Sequence, residues 1–113
     1  MNLLSNLFGS PVPVLSADQL NEKLKFGRHP MVLDVCQPDE YRQMHIAGAK
    51  LILLNELRHR IKELPKGREI ICGCASGNRS RSAARILAKE GYNVSDLTGG
   101  MLACRRAGLP VQR

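Results

Sequence analysis

Aromatic side chains are scarce in this chain, which has two Tyr, two Phe and no Trp among its 113 residues. With so few rings, and none interleaved with basic residues, a stacking platform for single-stranded nucleic acid has nothing to be built from. Acidic residues are also few, 10 Asp and Glu against 17 Lys and Arg, which leaves a net charge of +7. The basic residues are spread through 58–68, 79–89 and 105–113. That distribution reads as a solvated surface that attracts small anions, with no nucleic acid as partner. No apolar run approaches the length of a membrane span. The segment Met1-Asn2-Leu3-Leu4-Ser5-Asn6-Leu7-Phe8 lacks a basic flank and reaches Gly9, Ser10 and Pro11 before any sustained apolar run, so it does not have the pattern of a signal peptide. Residues 1–11 are expected to be an N-terminal extension with the freedom of a chain end. Internal repeats, low-complexity tracts and interdomain linkers are missing too. One domain over 12–113 is expected, and with it a monomer.

Cysteine is present but not in a framework: the four residues at 36, 72, 74 and 104 are irregularly spaced. A chain this long can bury its own core without staples, so the expected setting is the reducing cytoplasm. Cys72 and Cys74 form Cys-x-Cys, but no His lies nearby in sequence to complete a ligand set. The expectation is therefore no metal and no cofactor.

What the chain does have is alternation. Val12 to Leu15 is a short strand candidate, followed by Ser16 as N-cap with Gln19 three residues on and a helix that Gly27 closes. Met31 to Val35 is apolar, β-branched and without polar alternation, the signature of a buried strand. Pro38 opens a helix whose Tyr41 and Met44 are spaced to face inward, with Asp39 and Glu40 as helix-start charges. Leu51 to Leu54 is a second buried strand. Asn55 then caps a helix carrying Leu57, Ile61 and Leu64, stopped by Pro65. Glu69 to Gly73 is the fourth strand, the segment with Ala83, Ala84, Leu87 and Ala88 a helix closed by Gly91, and Val94 to Leu97 the fifth strand. Thr98-Gly99-Gly100 turns into a last helix that ends at Gly108 with Pro110 beyond. Such alternation with short links argues for an α/β domain, a central parallel sheet of about five strands flanked by helices on both faces. In such sheets ligands sit beyond the carboxyl ends of strands.

Cys74 falls at one of those ends. The run Cys74-Ala75-Ser76-Gly77-Asn78-Arg79 lies between an apolar strand and an alanine-rich helix, where unpaired backbone N–H groups and the helix dipole favour thiolate over thiol. Arg79, Arg81 and Arg85 add positive charge nearby. Cys72, inside the strand, reads as core, and Cys36 and Cys104 read as loop-side residues near two strand ends that fill space, with approach to the Cys74 loop and a disulfide there as the alternative. His29 and His59 read as surface residues.

Taken together these residues resemble the single-domain rhodanese-like sulfurtransferases. The resemblance runs from about Val14 to Val111. It is carried by Leu33-Asp34-Val35, Asp39-Glu40-Tyr41, His45-Ile46-Ala47-Gly48-Ala49, Cys74-Ala75-Ser76-Gly77-Asn78-Arg79-Ser80, Gly99-Gly100-Met101 and Ala107-Gly108-Leu109-Pro110-Val111. It implies that Cys74 is the catalytic nucleophile, taking a sulfane sulfur from a small anionic donor such as thiosulfate and passing it as a persulfide sulfur to cyanide, a thiol or a protein acceptor. It further implies that Ala75, Ser76, Gly77, Asn78 and Arg79 form the substrate-binding loop, a cradle of backbone N–H groups around the outer sulfur. Arg79 would close the loop or attract the donor, His45 would fix the loop before Gly48, and Asp34 would orient loop amides. The chain departs from the family pattern at Cys36, where an arginine is common, at Ala47, where a proline is common, and at Cys104, where a tryptophan is common. Position 75 lacks a positive charge, so thiosulfate would be a convenient donor rather than a dedicated one.

Two other functions fit parts of the pattern. A sulfur carrier or protein-interaction module would keep the same nucleophile without free turnover. A thiol phosphatase or arsenate reductase would need a larger ring, and only four residues separate Cys74 from Arg79.

Overall fold

The structure is a computed structural model that describes residues 12–27, 29–74 and 78–112. Five strands run parallel in one sheet, β1 (Val14–Leu15), β2 (Met31–Asp34), β4 (Lys50–Leu51), β5 (Ile70–Gly73) and β6 (Val94–Leu97), in the order β1-β6-β5-β2-β4. The five-strand sheet expected from the apolar runs is therefore present. Leu33 lies opposite Cys72 and Asp34 opposite Gly73, while Cys72 lies opposite Asp96 on the other flank.

Because successive strand residues point to opposite faces, the sheet sorts its side chains into two cores. Leu33, Ile70, Cys72 and Val94 pack on one face with Leu57, Leu64, Ala83, Ala84, Leu87 and Tyr92. Val32, Ile71 and Leu97 pack on the other with Ala17, Leu20, Met101, Cys104 and Leu109. Helices α3 (Leu57–Arg60) and α4 (Asn78–Lys89) bring Leu57, Ala83, Ala84 and Leu87 to the first set, and α1 (Ala17–Lys25) and α5 (Gly100–Arg106) bring Ala17, Leu20, Met101 and Cys104 to the second. Leu33, Ile70, Ile71 and Leu87 keep no exposed surface, and each contributes about 2 kcal/mol of burial.

Local chemistry sets the helix ends. The Ser16 hydroxyl accepts the Gln19 N–H at 3.1 Å and the Gln19 side chain accepts the Ser16 N–H at 2.8 Å, the reciprocal cap its spacing calls for. At Gly99, with φ +85°, an added Cβ would come within 2.7 Å of the Ala103 side chain. Both space and conformation at the start of α5 require glycine.

The buried strand expected over Leu51 to Leu54 is the two-residue β4, half-buried at both positions, with Leu54 already in a 3-10 turn, and two further elements differ from the sequence reading. The helix expected from Asn55 to Leu64 is one α-turn, α3, between two 3-10 turns, Leu54–Glu56 and Ile61–Glu63. Pro65 has no N–H to give to the Ile61 carbonyl. That carbonyl accepts instead from Leu64 N–H at 3.1 Å and the Tyr92 hydroxyl at 2.9 Å, which also lies 3.2 Å from the Leu64 carbonyl. Tyr92→Phe is expected to cost about 1 kcal/mol, read as a lower urea midpoint at unchanged slope. The second difference is an added antiparallel pair, β3 (His45–Ile46) with β7 (Val111–Gln112), which ties the chain end to the segment after α2 (Pro38–Gln43). Within α2 no residue is fully buried. Tyr41, expected to face inward, is half-buried and stacks on His45 with ring centroids 3.8 Å apart. None of the described helices is long and apolar enough to cross a membrane. The expectation for residues 1–11 lies outside the described residues.

Candidate active site

Strand β5 ends at Gly73, Cys74 follows it with no exposed surface, and α4 starts at Asn78. The described part of this region is therefore strand, thiol, helix, in the order the sequence calls for. Ala75, Ser76 and Gly77 of the expected loop lie outside the described residues. Asn78 is exposed and opens α4. In the first turn of α4 the Ser80 N–H donates to Cys74 Sγ at 3.4 Å. A donor fixed at a helix start favours the thiolate.

That turn is anchored from below. The Ser80 hydroxyl, fully buried, donates to Asp96 Oδ1 at 2.6 Å, and Asp96 sits in β6 beside Cys72. Neither residue stood out in the sequence, because the pair joins positions 16 apart with no local pattern.

Arg79 is held on the outer side. Its two terminal nitrogens donate to the two Glu40 oxygens at 2.6 and 2.9 Å, linking α4 to α2. Glu40 was legible only as a helix-start charge, a role it also fills by accepting the Gln37 N–H at 2.9 Å. The Arg79 guanidinium, and then the Gln37 N–H, hold the Glu40 carboxyl below the usual carboxylate range. Glu40 raises Arg79 in turn, and the Cys36 and Cys74 thiols add smaller contributions, so both sulfurs lie in the field of this guanidinium. The other arginines are less involved. Arg81 stands 3.9 Å from Asp96 and is largely exposed, and Arg85 is exposed.

Asp34 ends β2 with 1% exposure, and its Oδ1 accepts the Cys36 N–H at 2.9 Å, so it orients a loop amide as expected. Its Oδ2 is buried without a hydrogen-bond partner among the described residues. His45 Nδ1 lies 2.7 Å from the Tyr41 carbonyl, and since a carbonyl only accepts, that nitrogen carries the proton. The histidine is a brace between α2 and β3, and His29 and His59 are exposed.

The remaining thiols are quiet. Burial, and then Asp96 and Cys74, push Cys72 far up. Burial, and then Asp34, push Cys104 up to about 11. All four cysteines are buried without disulfides, and no group of three or more metal-ligating side chains gathers among the described residues.

A cleft of about 600 Å³ opens beside this arrangement, with Met44, Met101 and Val111 as apolar wall and Glu40, Arg105 and Gln112 as polar rim. Glu40 is the partner of Arg79. The Met101 methyl stands 3.4 Å from where a Gly73 Cβ would be. Two of its lining residues, Glu40 and Met101, thus stand against Arg79 and Gly73.

Comparison with known proteins agrees with this geometry. Residues 16–107 match the rhodanese-like domain family. A sulfurtransferase of Allochromatium vinosum is 32% identical over 98 residues, covering 86% of this chain and 92% of that protein. The Bacillus subtilis protein YrkF, named for a sulfur carrier role, is 36% identical over 93 residues, which span 81% of this chain but only 50% of that protein. The crystal structure of a rhodanese-related protein from Thermoplasma volcanium superposes with a TM-score of 0.81 at 34% identity, covering 88% of this chain and 97% of that one.

Proposed function

Since the chain belongs to the rhodanese-like domain family, we propose that it is a sulfurtransferase that moves a sulfane sulfur from a small anionic donor to a thiophilic acceptor through a persulfide on Cys74. The observation that carries this reading is the Ser80 N–H donated to a buried Cys74 Sγ beyond the end of β5.

With thiosulfate as donor, the Cys74 thiolate attacks the sulfane sulfur, the donor's S–S bond breaks, and sulfite leaves with the electron pair. A cyanide or thiolate acceptor then attacks the outer sulfur, and the Cys74 thiolate is the leaving group. Splitting the transfer into two displacements is what a nucleophilic cysteine provides. Ser80 N–H serves both steps, since it favours the form of Cys74 that starts and ends the cycle. Asn78, Arg79 and the loop residues Ala75, Ser76 and Gly77 would hold the outer sulfur and its anionic donor, and the net charge of +7 favours anion encounter. The Arg79–Glu40 pair supports loop closure as the duty of Arg79 more than capture of donor, because its charge is already answered.

After a short incubation with thiosulfate, intact mass should rise by one sulfur atom. The increment should map to the peptide that contains Cys74 and vanish on adding cyanide. No increment, or one mapped to Cys72 or Cys104, overturns the proposal. The likeness to YrkF favours a second reading, a carrier that gives its sulfur to a protein. That reading predicts one loading per chain and no continued thiocyanate formation with excess thiosulfate and cyanide.

A further inference from the structure

Cys36 has no part in the transfer just described, yet it is buried in the same core cluster as the reacting thiol. The β2–β5 ladder continues one step past both strands, where Val35 N–H donates to the Gly73 carbonyl at 3.0 Å. Val35 is thus level with Cys74, and Cys36 is one residue beyond. The two strands lie about 4.8 Å apart, and the chain bends at Cys36 just past the end of β2. A disulfide spans Cα separations of about 4.4–6.8 Å. Cys36 and Cys74 both have no exposed surface and share one core cluster. The Asp34 carboxylate pins the Cys36 amide, and Arg79 reaches both thiols with its field.

We propose that Cys36 is a resolving thiol, which attacks Sγ of the Cys74 persulfide and closes a Cys36–Cys74 disulfide with release of sulfide. The inference rests on the persulfide reading above. The bond formed is Cys36 Sγ to Cys74 Sγ, and the bond broken joins Cys74 Sγ to the outer sulfur. The outer sulfur leaves with the electron pair and the Cys36 proton as hydrosulfide. The sulfane sulfur is reduced to sulfide and the two thiols are oxidised to the disulfide, so no further oxidant is required. A dithiol reductant returns the protein to its starting state by exchange. The acceptor then decides the product. A nucleophile that arrives promptly takes the sulfur, and in its absence the chain releases sulfide and locks.

The test loads the full chain with thiosulfate, removes the donor by desalting without reductant, and follows intact mass and sulfide with time. The one-sulfur adduct should decay into a species two hydrogens lighter than the reduced protein, with one sulfide per chain and a cross-linked peptide pair containing Cys36 and Cys74. Cys36→Ser and Cys36→Ala should hold the adduct roughly tenfold longer or more and release no sulfide. An adduct equally long-lived in the parent chain, or a cross-link through Cys72 or Cys104, overturns the inference while leaving the persulfide reading intact. No adduct in any of the three proteins overturns both. Where the variants fail to fold, the cross-link map of the parent chain decides alone.

Discussion

Cys74→Ser is expected to reduce thiocyanate formation from thiosulfate and cyanide to the rate without protein, and to remove the one-sulfur adduct. The hydroxyl fits the space of the thiol and can accept the Ser80 N–H that now points at sulfur, so the fold should be kept. What it lacks is a low-energy anion. A serine hydroxyl stays protonated beside a single N–H donor, and an oxygen cannot store the sulfur as a persulfide, so the two-displacement route closes entirely. The contrast with Cys72 sharpens the result. Cys72 lies two residues back, inside β5, where burial and then the neighbouring Asp96 push its thiol up, away from the thiolate form that attacks. Cys72→Ser and Cys104→Ser should therefore keep the adduct. Circular dichroism of each variant separates loss of chemistry from loss of fold. A Cys74→Ser protein that turns over at the parent rate would show that the nucleophile is elsewhere.

The parts of this site that could be read in advance are those whose cause is local. Met31 to Asp34 and Ile70 to Gly73 are legible as strands because a parallel strand covered on both faces must be apolar at every position. Cys74 is legible because its strand-to-helix address is written in consecutive residues. Ser16 and Gln19 announce their own cap. What was not legible is made by residues that meet only in space. Glu40 and Arg79 are 39 positions apart, and the helix-start role of Glu40 explains its presence without the pairing. Ser80 and Asp96 are joined across α4 and β6, and a buried Asp in an apolar strand gives no sign of its partner. The β3–β7 pair consists of two residues a side, too short for any period to show. The break in the helix after Asn55 depends on Tyr92 reaching the Ile61 carbonyl. Pro65 foretells where that helix stops but not its 3-10 ends.

The pairing of Arg79 with Glu40 changes what removal of the arginine should do. As a lone cation steering donors, Arg79 would show itself in the affinity for thiosulfate and in its dependence on salt. As a bidentate partner of Glu40 that ties α4 to α2, it should show itself in turnover and stability. Arg79→Ala is expected to lower turnover roughly tenfold to a hundredfold, since a small misplacement of a reacting group costs on that order, with the salt dependence of the remaining rate little changed. Glu40→Gln should produce a smaller loss of the same kind, because the amide keeps one acceptor for the guanidinium. Both groups are about a third exposed, so solvent screens the pair and its contribution to stability is about 1 kcal/mol. The sign of the pH dependence follows from Glu40. Its folded-state carboxyl titrates below the ordinary value of 4.5, so the unfolded chain takes up the proton first as pH falls. The stabilisation is fully present above 4.5 and is lost as pH drops through the lowered folded value. Urea midpoints of the parent chain and Glu40→Gln should therefore differ at pH 7 and converge toward pH 3. A difference that is the same at both pH values would mean that the ion pair does not hold α2 to α4. Unchanged turnover in a folded Arg79→Ala protein would remove Arg79 from the site.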